Sequence, residues 1–146
     1  MVSSPKELDT VVRTLWGEAR GESTEGKVAV AWVIRNRVDI DLHNDGKPDW
    51  WGEGYTGVCR KPWQFSCWNK NDPNYQYMSG AKRIPDIQYD VCQEIVLDVV
   101  DSIVDDPTDG ATHYYNPKGV KNTPAWVKGA TFTGKIGNHL FYKDVK

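Results

Sequence analysis

The stretch Val28-Ala29-Val30-Ala31-Trp32-Val33-Ile34 constrains the fold more than any other part of the chain. Its surroundings read as helix, with an N-cap at Ser23 or Thr24 and a pattern that continues to about Val38. A helix that is apolar on every face has no side to offer water, so other elements must enclose it. The rest of the chain is therefore expected to wrap this segment.

Two further helices can supply the cover. Ser4-Pro5-Lys6-Glu7 has the form of a capping box with proline at the first helical position, so a helix begins there. Leu8, Val12, Leu15 and Ala19 recur at helical steps as its buried stripe, and Gly21 is its stop. Asp86 is expected to cap a third long helix, in which Val91, Cys92, Ile95, Val96, Val99, Val100, Ile103 and Val104 keep helical spacing until Pro107. Between the second and third helices, Asp39 to Pro62 is rich in Asp, Gly, Pro and Trp without sustained periodicity, which reads as a long loop. Asp72-Pro73-Asn74 is a turn, with a short helix expected from about Tyr75 to Ala81. Beyond Gly110, short aromatic pieces suggest loops with one or two short strands. The expected class is α+β, mainly α: one domain over residues 1–146, with three main helices, long loops and a short β element.

A formal net charge of −2, with both signs interspersed, gives no electrostatic footprint for nucleic acid or an anionic membrane surface. Seven Trp and seven Tyr suit an uncharged ring-shaped ligand, because sugar rings dock on flat apolar faces. The opening residues contain no apolar stretch of signal-peptide length, and no window is apolar enough to span a bilayer. Cys59, Cys67 and Cys92 are an odd number without a C-x-x-C, so they read as small buried hydrophobes, with a Cys59–Cys67 bridge open if the protein leaves the cytoplasm. Asp39 to Gly46 only loosely matches a calcium loop, its glycine misplaced and Trp50 at the twelfth position, and the histidines lack zinc spacing. No cofactor or metal is expected. Trp50, Trp51, Trp63 and Trp68 either stack on sugars or fasten the long loop to the core.

Trp16-Gly17-Glu18-Ala19-Arg20-Gly21-Glu22 places two carboxyls four residues apart at the closing end of the first helix. Glu18 falls roughly 80° from the centre of the buried stripe, at the border of core and solvent. An indole wall from Trp16 and the negative end of the helix macrodipole would both disfavour its ionised form, as a general acid requires. The plain alternative is that Glu18 and Glu22 are solvated helix-end residues paired with Arg20 or Lys27.

A resemblance weighs against that alternative. Glu18-Ala19-Arg20-Gly21-Glu22, then Glu25 to Ala31 and Asn36-Arg37-Val38, resembles the opening signature of the SleB-type cell wall hydrolases, the spore-cortex-lytic family that also occurs in phage lysins. Gln64-Phe65-Ser66, the block Ala111 to Pro117 with Trp126, and Ile136 to Tyr142 resemble its later blocks, in order, over nearly the whole chain. The resemblance implies a lysozyme-like fold related to lytic transglycosylases, with Glu18 catalytic. It also implies that Gln64, Phe65, Ser66, Tyr114, Tyr115 and Asn116 lie around a sugar cleft. His113 and Trp126, in the same blocks, join them as substrate-binding candidates; His113 and His139 otherwise read as hydrogen-bonded structural residues. Glu22 matches a family position too, either at substrate or holding the turn between the first two helices.

The expected reaction is cleavage of the β-1,4 bond between N-acetylmuramic acid and N-acetylglucosamine in peptidoglycan. If Glu18 acts alone, first as acid and then as base on the C6 hydroxyl, the product is a 1,6-anhydro sugar. If water attacks, a second carboxylate such as Asp39, Asp41, Asp49 or Glu53 is required. A non-catalytic glycan-binding domain is the alternative of another class. With neither a signal peptide nor a separate wall-binding module in view, the expectation is a monomeric phage lysin, made in the host cytoplasm and released through a holin.

Overall fold

The computed structural model describes residues 2, 4–40, 51–62 and 64–145. Five helices come first: α1 (Pro5–Ala19), α2 (Thr24–Asp39), α3 (Gly54–Arg60), α4 (Tyr75–Met78) and α5 (Asp86–Val100). Three strands follow: β1 (His113–Tyr115), β2 (Thr131–Ile136) and β3 (His139–Lys143), an antiparallel sheet in the order β1-β3-β2.

The apolar run in α2 is enclosed because the helix is covered from two directions. Val30, Ala31 and Ile34 join Val11, Val12 and Leu15 of α1, Val58 and Cys59 of α3, and Ile95, Val96 and Val99 of α5 in the main core. On the opposite side Ala29 and Val33 meet Ala111 and Phe141, with Tyr114 and Ile136 packed alongside. Burying each Val or Ile side chain contributes about 1.5–3 kcal/mol, so the segment holds the helical layer and the sheet together.

Local signals place both helix starts. Ser4 Oγ accepts from the Glu7 amide at 3.1 Å, with Pro5 in the first turn, and Ser23 Oγ accepts from the Gly26 amide at 3.2 Å. The Leu8, Val12, Leu15 and Ala19 stripe faces the core. Gly21 lies just beyond the C-cap Arg20, which keeps right-handed α geometry.

Three expectations need correction. The supposed loop from Asp39 to Pro62 contains α3, which buries Tyr55, Val58 and Cys59 on one side; its glycines hid a stripe only two turns long. The third long helix ends at Val100, short of Pro107. There Ser102 takes a left-handed φ of 59°, its amide bonds to Val99 O, and the Ile103 amide bonds back to Asp98 O. This is a Schellman stop built without glycine, and Arg35 of α2 reinforces it by donating to Val99 O and Ser102 Oγ at 2.6 and 2.7 Å. Ile103 is consequently exposed. At the other end, Asp86 is the first helical residue, not the cap, and pairs with Arg83.

The block Ile136 to Tyr142 joins the end of β2 to β3 through a hairpin turn. Ile136 pairs with His139 across Gly137-Asn138, and Gly137 supplies the φ of 57° that the two-residue turn needs. Among the described residues no helix is long and apolar enough to cross a membrane.

Candidate functional site

Glu18 sits in the last turn of α1, half-buried, and does not point into bulk water. The Tyr114 hydroxyl donates to Glu18 Oε1 at 2.9 Å from β1. The amide and thiol of Cys67 also donate to this carboxyl, from the 3-10 turn Ser66–Trp68. The approach of that turn depends on Gly17. A Cβ there would lie 2.8 Å from Cys67 Cβ and 2.9 Å from Cys67 Sγ, so a side chain would drive Cys67 away from α1.

Burial pushes the Glu18 carboxyl above its ordinary range. Hydrogen bonds from Tyr114 and Cys67 pull against that, and the Asp72 charge adds to the rise. Trp16 is not the wall expected: its indole donates to Gln88 on α5 at 2.8 Å and its ring meets Tyr77 and Arg20. Side chains two apart on a helix do not face each other. Nor do Arg20 and Lys27 pair with the two carboxyls, since Arg20 stacks on Trp16 and Lys27 donates to the Glu22 backbone carbonyl.

Arg37 completes the surroundings. Its buried guanidinium donates through Nε to Thr112 O at 2.6 Å and lies 5.1 Å from the Phe65 ring centroid. Among the described residues, Nη1 is buried without a hydrogen-bond partner. Burial lowers the Arg37 pKa to about 10, while the neighbouring Tyr114 and Glu18 favour its charge. Sequence reasoning had Arg37 only as part of a motif, and it missed Cys67 and Asp72 as neighbours of Glu18. Helical spacing alone carries no signal for contacts between residues so distant along the chain.

The other candidates divide. Period-two alternation in β1 turns Tyr114 inward to Glu18, Phe141 and His139, whereas His113 and Tyr115 face the other way with Trp126 and Tyr142. Phe65 is buried beneath Arg37. Gln64 Nε2 donates to Trp51 O and Val58 O at 2.8 and 2.7 Å, and Ser66 is exposed. Asn116 Oδ1 accepts from the Lys118 amide in its own turn. His113, with Thr112 Oγ1 2.9 Å from its Nδ1, is held neutral, its pKa lowered to about 3 by burial and by Arg37.

Glu22 reaches the β2–β3 hairpin. Its oxygens accept from the Asn138 amide at 3.4 Å and Asn138 Nδ2 at 3.2 Å, and Oε1 lies 3.5 Å from His139 Nδ1.

Trp51 is buried in the core, while Trp68 Nε1 donates to Thr14 Oγ1 at 2.8 Å. Cys59, Cys67 and Cys92 are all buried and unbridged. Of the possible second carboxylates, Asp39 pairs with Arg35 and Glu53 precedes α3 on the surface. Asp41, Asp49, His43, Trp50 and Trp63, with most of the Asp39 to Gly46 loop, lie outside the described residues.

A mainly helical body closed by a small sheet, with a carboxyl half-buried at the end of its first helix, has the lysozyme-like construction of the lytic transglycosylases. The catalytic domain of the germination-specific lytic transglycosylase SleB from Bacillus anthracis superposes with a TM-score of 0.66 at 28% identity, covering 97% of each chain. That of Bacillus cereus SleB gives 0.69 at 28% identity, covering 97% of this chain and 93% of the other. Residues 21–142 match the family described as Cell Wall Hydrolase, and the chain belongs to that family. The matched span begins just after Glu18. The spore cortex-lytic enzymes of Halalkalibacterium halodurans and Bacillus subtilis are 32% and 29% identical over 138 residues, each covering 94% of this chain. The chain spans 35% and 38% of their respective lengths.

Proposed function

We propose that the protein cleaves the β-1,4 bond between N-acetylmuramic acid and N-acetylglucosamine in peptidoglycan, by the lytic transglycosylase route. The observation that carries this reading is the Glu18 carboxyl: raised by burial, yet held by donors from Tyr114 and Cys67 that stabilise its ionised form. A group so balanced can give up a proton and recover it.

Protonated Glu18 donates to the glycosidic oxygen as the C1–O bond breaks and the muramic ring gains oxocarbenium character. The carboxylate that results is stabilised by Tyr114, Cys67 and the positive charge of Arg37. It then removes the proton of the ring's own C6 hydroxyl as that oxygen bonds to C1. A 1,6-anhydro sugar leaves, and Glu18 is again protonated. No second carboxylate is needed. The fold and family of the SleB catalytic domains support this choice.

The products test the reading. Purified sacculi digested with the wild type should release muropeptides with anhydro ends by mass analysis, and Glu18→Gln should release none. Reducing ends would replace this route with hydrolysis, for which Asp72, whose charge reaches Glu18, is the carboxylate to substitute first. We place this activity in host lysis by a phage: co-expression with a holin should clear a culture, and the Glu18→Gln variant should not.

A further inference from the structure

Arg60, Lys61 and Lys70 line a cavity of about 420 Å³ together with Trp68, Asn69 and Asn71. Its size lies within the range of ligand sites, about 300–1,000 Å³. Its lining carries three cations and no carboxylate. Arg13, Arg35, Arg83 and Lys143 each have a carboxylate partner, whereas among the described residues Arg60, Lys61 and Lys70 have none. A chain with a net charge of −2 thus concentrates three uncompensated cations around one opening.

The wall of this cavity is built in place. Arg60 lies over the Trp68 ring, 4.7 Å from its centroid, and the Trp68 indole is fixed by its bond to Thr14 Oγ1 at 2.8 Å. Thr14 precedes Glu18 by one helical turn on α1, and Trp68 follows Cys67, the residue that donates to Glu18. Two elements, α1 and the 3-10 turn, therefore link the cavity wall to the candidate catalytic carboxyl.

We propose that this cavity is a subsite for the carboxylates of the peptide stems carried by peptidoglycan, an inference that rests on the glycan-cleavage reading above. Where stems are attached the muramic lactyl carboxyls are tied up as amides, so the sugars themselves are uncharged rings and have no use for three cations. The peptides attached to the muramic lactyl group carry free carboxylates, and these ammonium and guanidinium donors suit them. The Trp68 face and the two asparagine amides suit the aliphatic and amide parts of the same peptide.

The test compares wild type with the triple variant Arg60→Gln, Lys61→Gln, Lys70→Gln on two substrates. One is sacculi stripped of phosphate-containing polymers; the other is the same glycan after an amidase has removed the stems and the lactyl carboxylates so freed have been blocked as methylamides. Loss of three exposed charges together should raise the half-saturating concentration of stem-bearing sacculi roughly tenfold, with little change in maximal rate. Added salt should raise the wild-type value and leave the variant's nearly constant. On stem-free strands the two proteins should behave alike.

Equal loss on both substrates, or no loss on either, overturns the subsite. Wild type that cleaves neither substrate overturns the parent reading and the subsite with it, whereas wild type that cleaves both leaves the subsite to stand or fall on the variant. The charge-preserving Lys61→Arg, Lys70→Arg protein should bind stem-bearing sacculi as wild type does. If the triple variant fails to fold by circular dichroism, Lys61→Gln, Lys70→Gln with Arg60 retained repeats the comparison with a smaller expected shift.

Discussion

Two sheltered carboxyls, one ending α1 and one in the loop before β1, are pushed in opposite directions by the same kind of burial. Glu18 receives hydrogen bonds from Tyr114 and Cys67, yet burial prevails and its proton is held more tightly. Burial would also raise Asp106, but four donors outweigh it: the Thr108 hydroxyl, the Asn36 amide group and the backbone amides of Thr108 and Gly110. Its proton is therefore held less tightly than in the free side chain. Asp106 sits where a tight loop gathers amides around it, and it ties the approach to β1 onto α2 through Asn36. Donor supply, more than burial, separates an anchor from an acid.

The comparison has a sign in pH. The Glu18 pKa is raised, so the folded state binds its proton more tightly, and stability falls as pH rises from about 4.5 through the folded value. For Asp106 the folded pKa is lowered. Its contribution is fully present above about 3.8 and is lost as pH falls through the folded value.

The largest expected effect breaks the comparison on the Glu18 side. Glu18→Gln keeps the shape and removes the proton, so the rate of turbidity loss on sacculi should fall roughly 10³-fold, within the usual range for a lost general acid. Removing a carboxylate from a half-buried site should also stabilise the fold by about 1 kcal/mol, or about 3 °C in Tm, at pH 7. That gain should shrink toward pH 4. Full lytic activity in this variant would end the role of Glu18 as acid.

Asp106→Ala breaks the other side. It strips acceptors from two backbone amides, a hydroxyl and the Asn36 amide, at a cost of about 2 kcal/mol. In a thermal melt near pH 7 the midpoint should drop by about 6 °C. The difference from wild type should narrow on acidification below about pH 3.8. A deficit that does not change with pH would mean that packing, not the ionised carboxylate, holds this loop.

The contrast was only half legible in the sequence. Helix starts were readable because Ser4 and Ser23 bond to amides three residues on, and α2 was readable because no face of it could meet water. Glu18 could be placed on its helix from period alone. What surrounds it could not, because Arg37, Cys67 and Tyr114 arrive from three other elements, and Cys67 arrives only because Gly17 leaves room. The Ser102 stop was hidden because left-handed φ has no signature in a serine, and α3 because two turns are too few for a stripe to stand out. Asp106, at the heart of a hydrogen-bond cluster, carried no signal beyond being polar in a loop.

A smaller change sharpens the Glu18 half. Tyr114→Phe removes a donor that favours the ionised carboxyl, a hydrogen bond worth about 1 kcal/mol. The alkaline limb of the pH–rate profile, where the acid loses its proton, should therefore move to higher pH. Maximal rate should fall roughly fivefold as a carboxyl that holds its proton more tightly donates it less readily to the glycosidic oxygen. A limb that moves to lower pH would assign the rise in Glu18 to something other than the balance between burial and donors.

The smallest effect is expected one helical turn beyond Glu18. Glu22 is a carboxyl of the same segment, but its acceptors go to Asn138 in the β2–β3 hairpin, and Gly137 leaves room there, since a Cβ would come within 2.9 Å of Glu22 Oε1. It resembles Asp106 in use, a clamp on a turn, though with fewer donors. Burial lowers the His139 pKa against the pull of Glu22, so the ring is neutral at neutral pH and its 3.5 Å approach to Glu22 adds little. Glu22→Gln retains one oxygen for Asn138, so the expected cost is about 0.5 kcal/mol, one or two degrees in Tm, with lytic rate within about twofold of wild type. A hundredfold loss of rate at unchanged Tm would move Glu22 from the scaffold to the substrate, since a clamp on the hairpin cannot lose that much chemistry without losing stability as well.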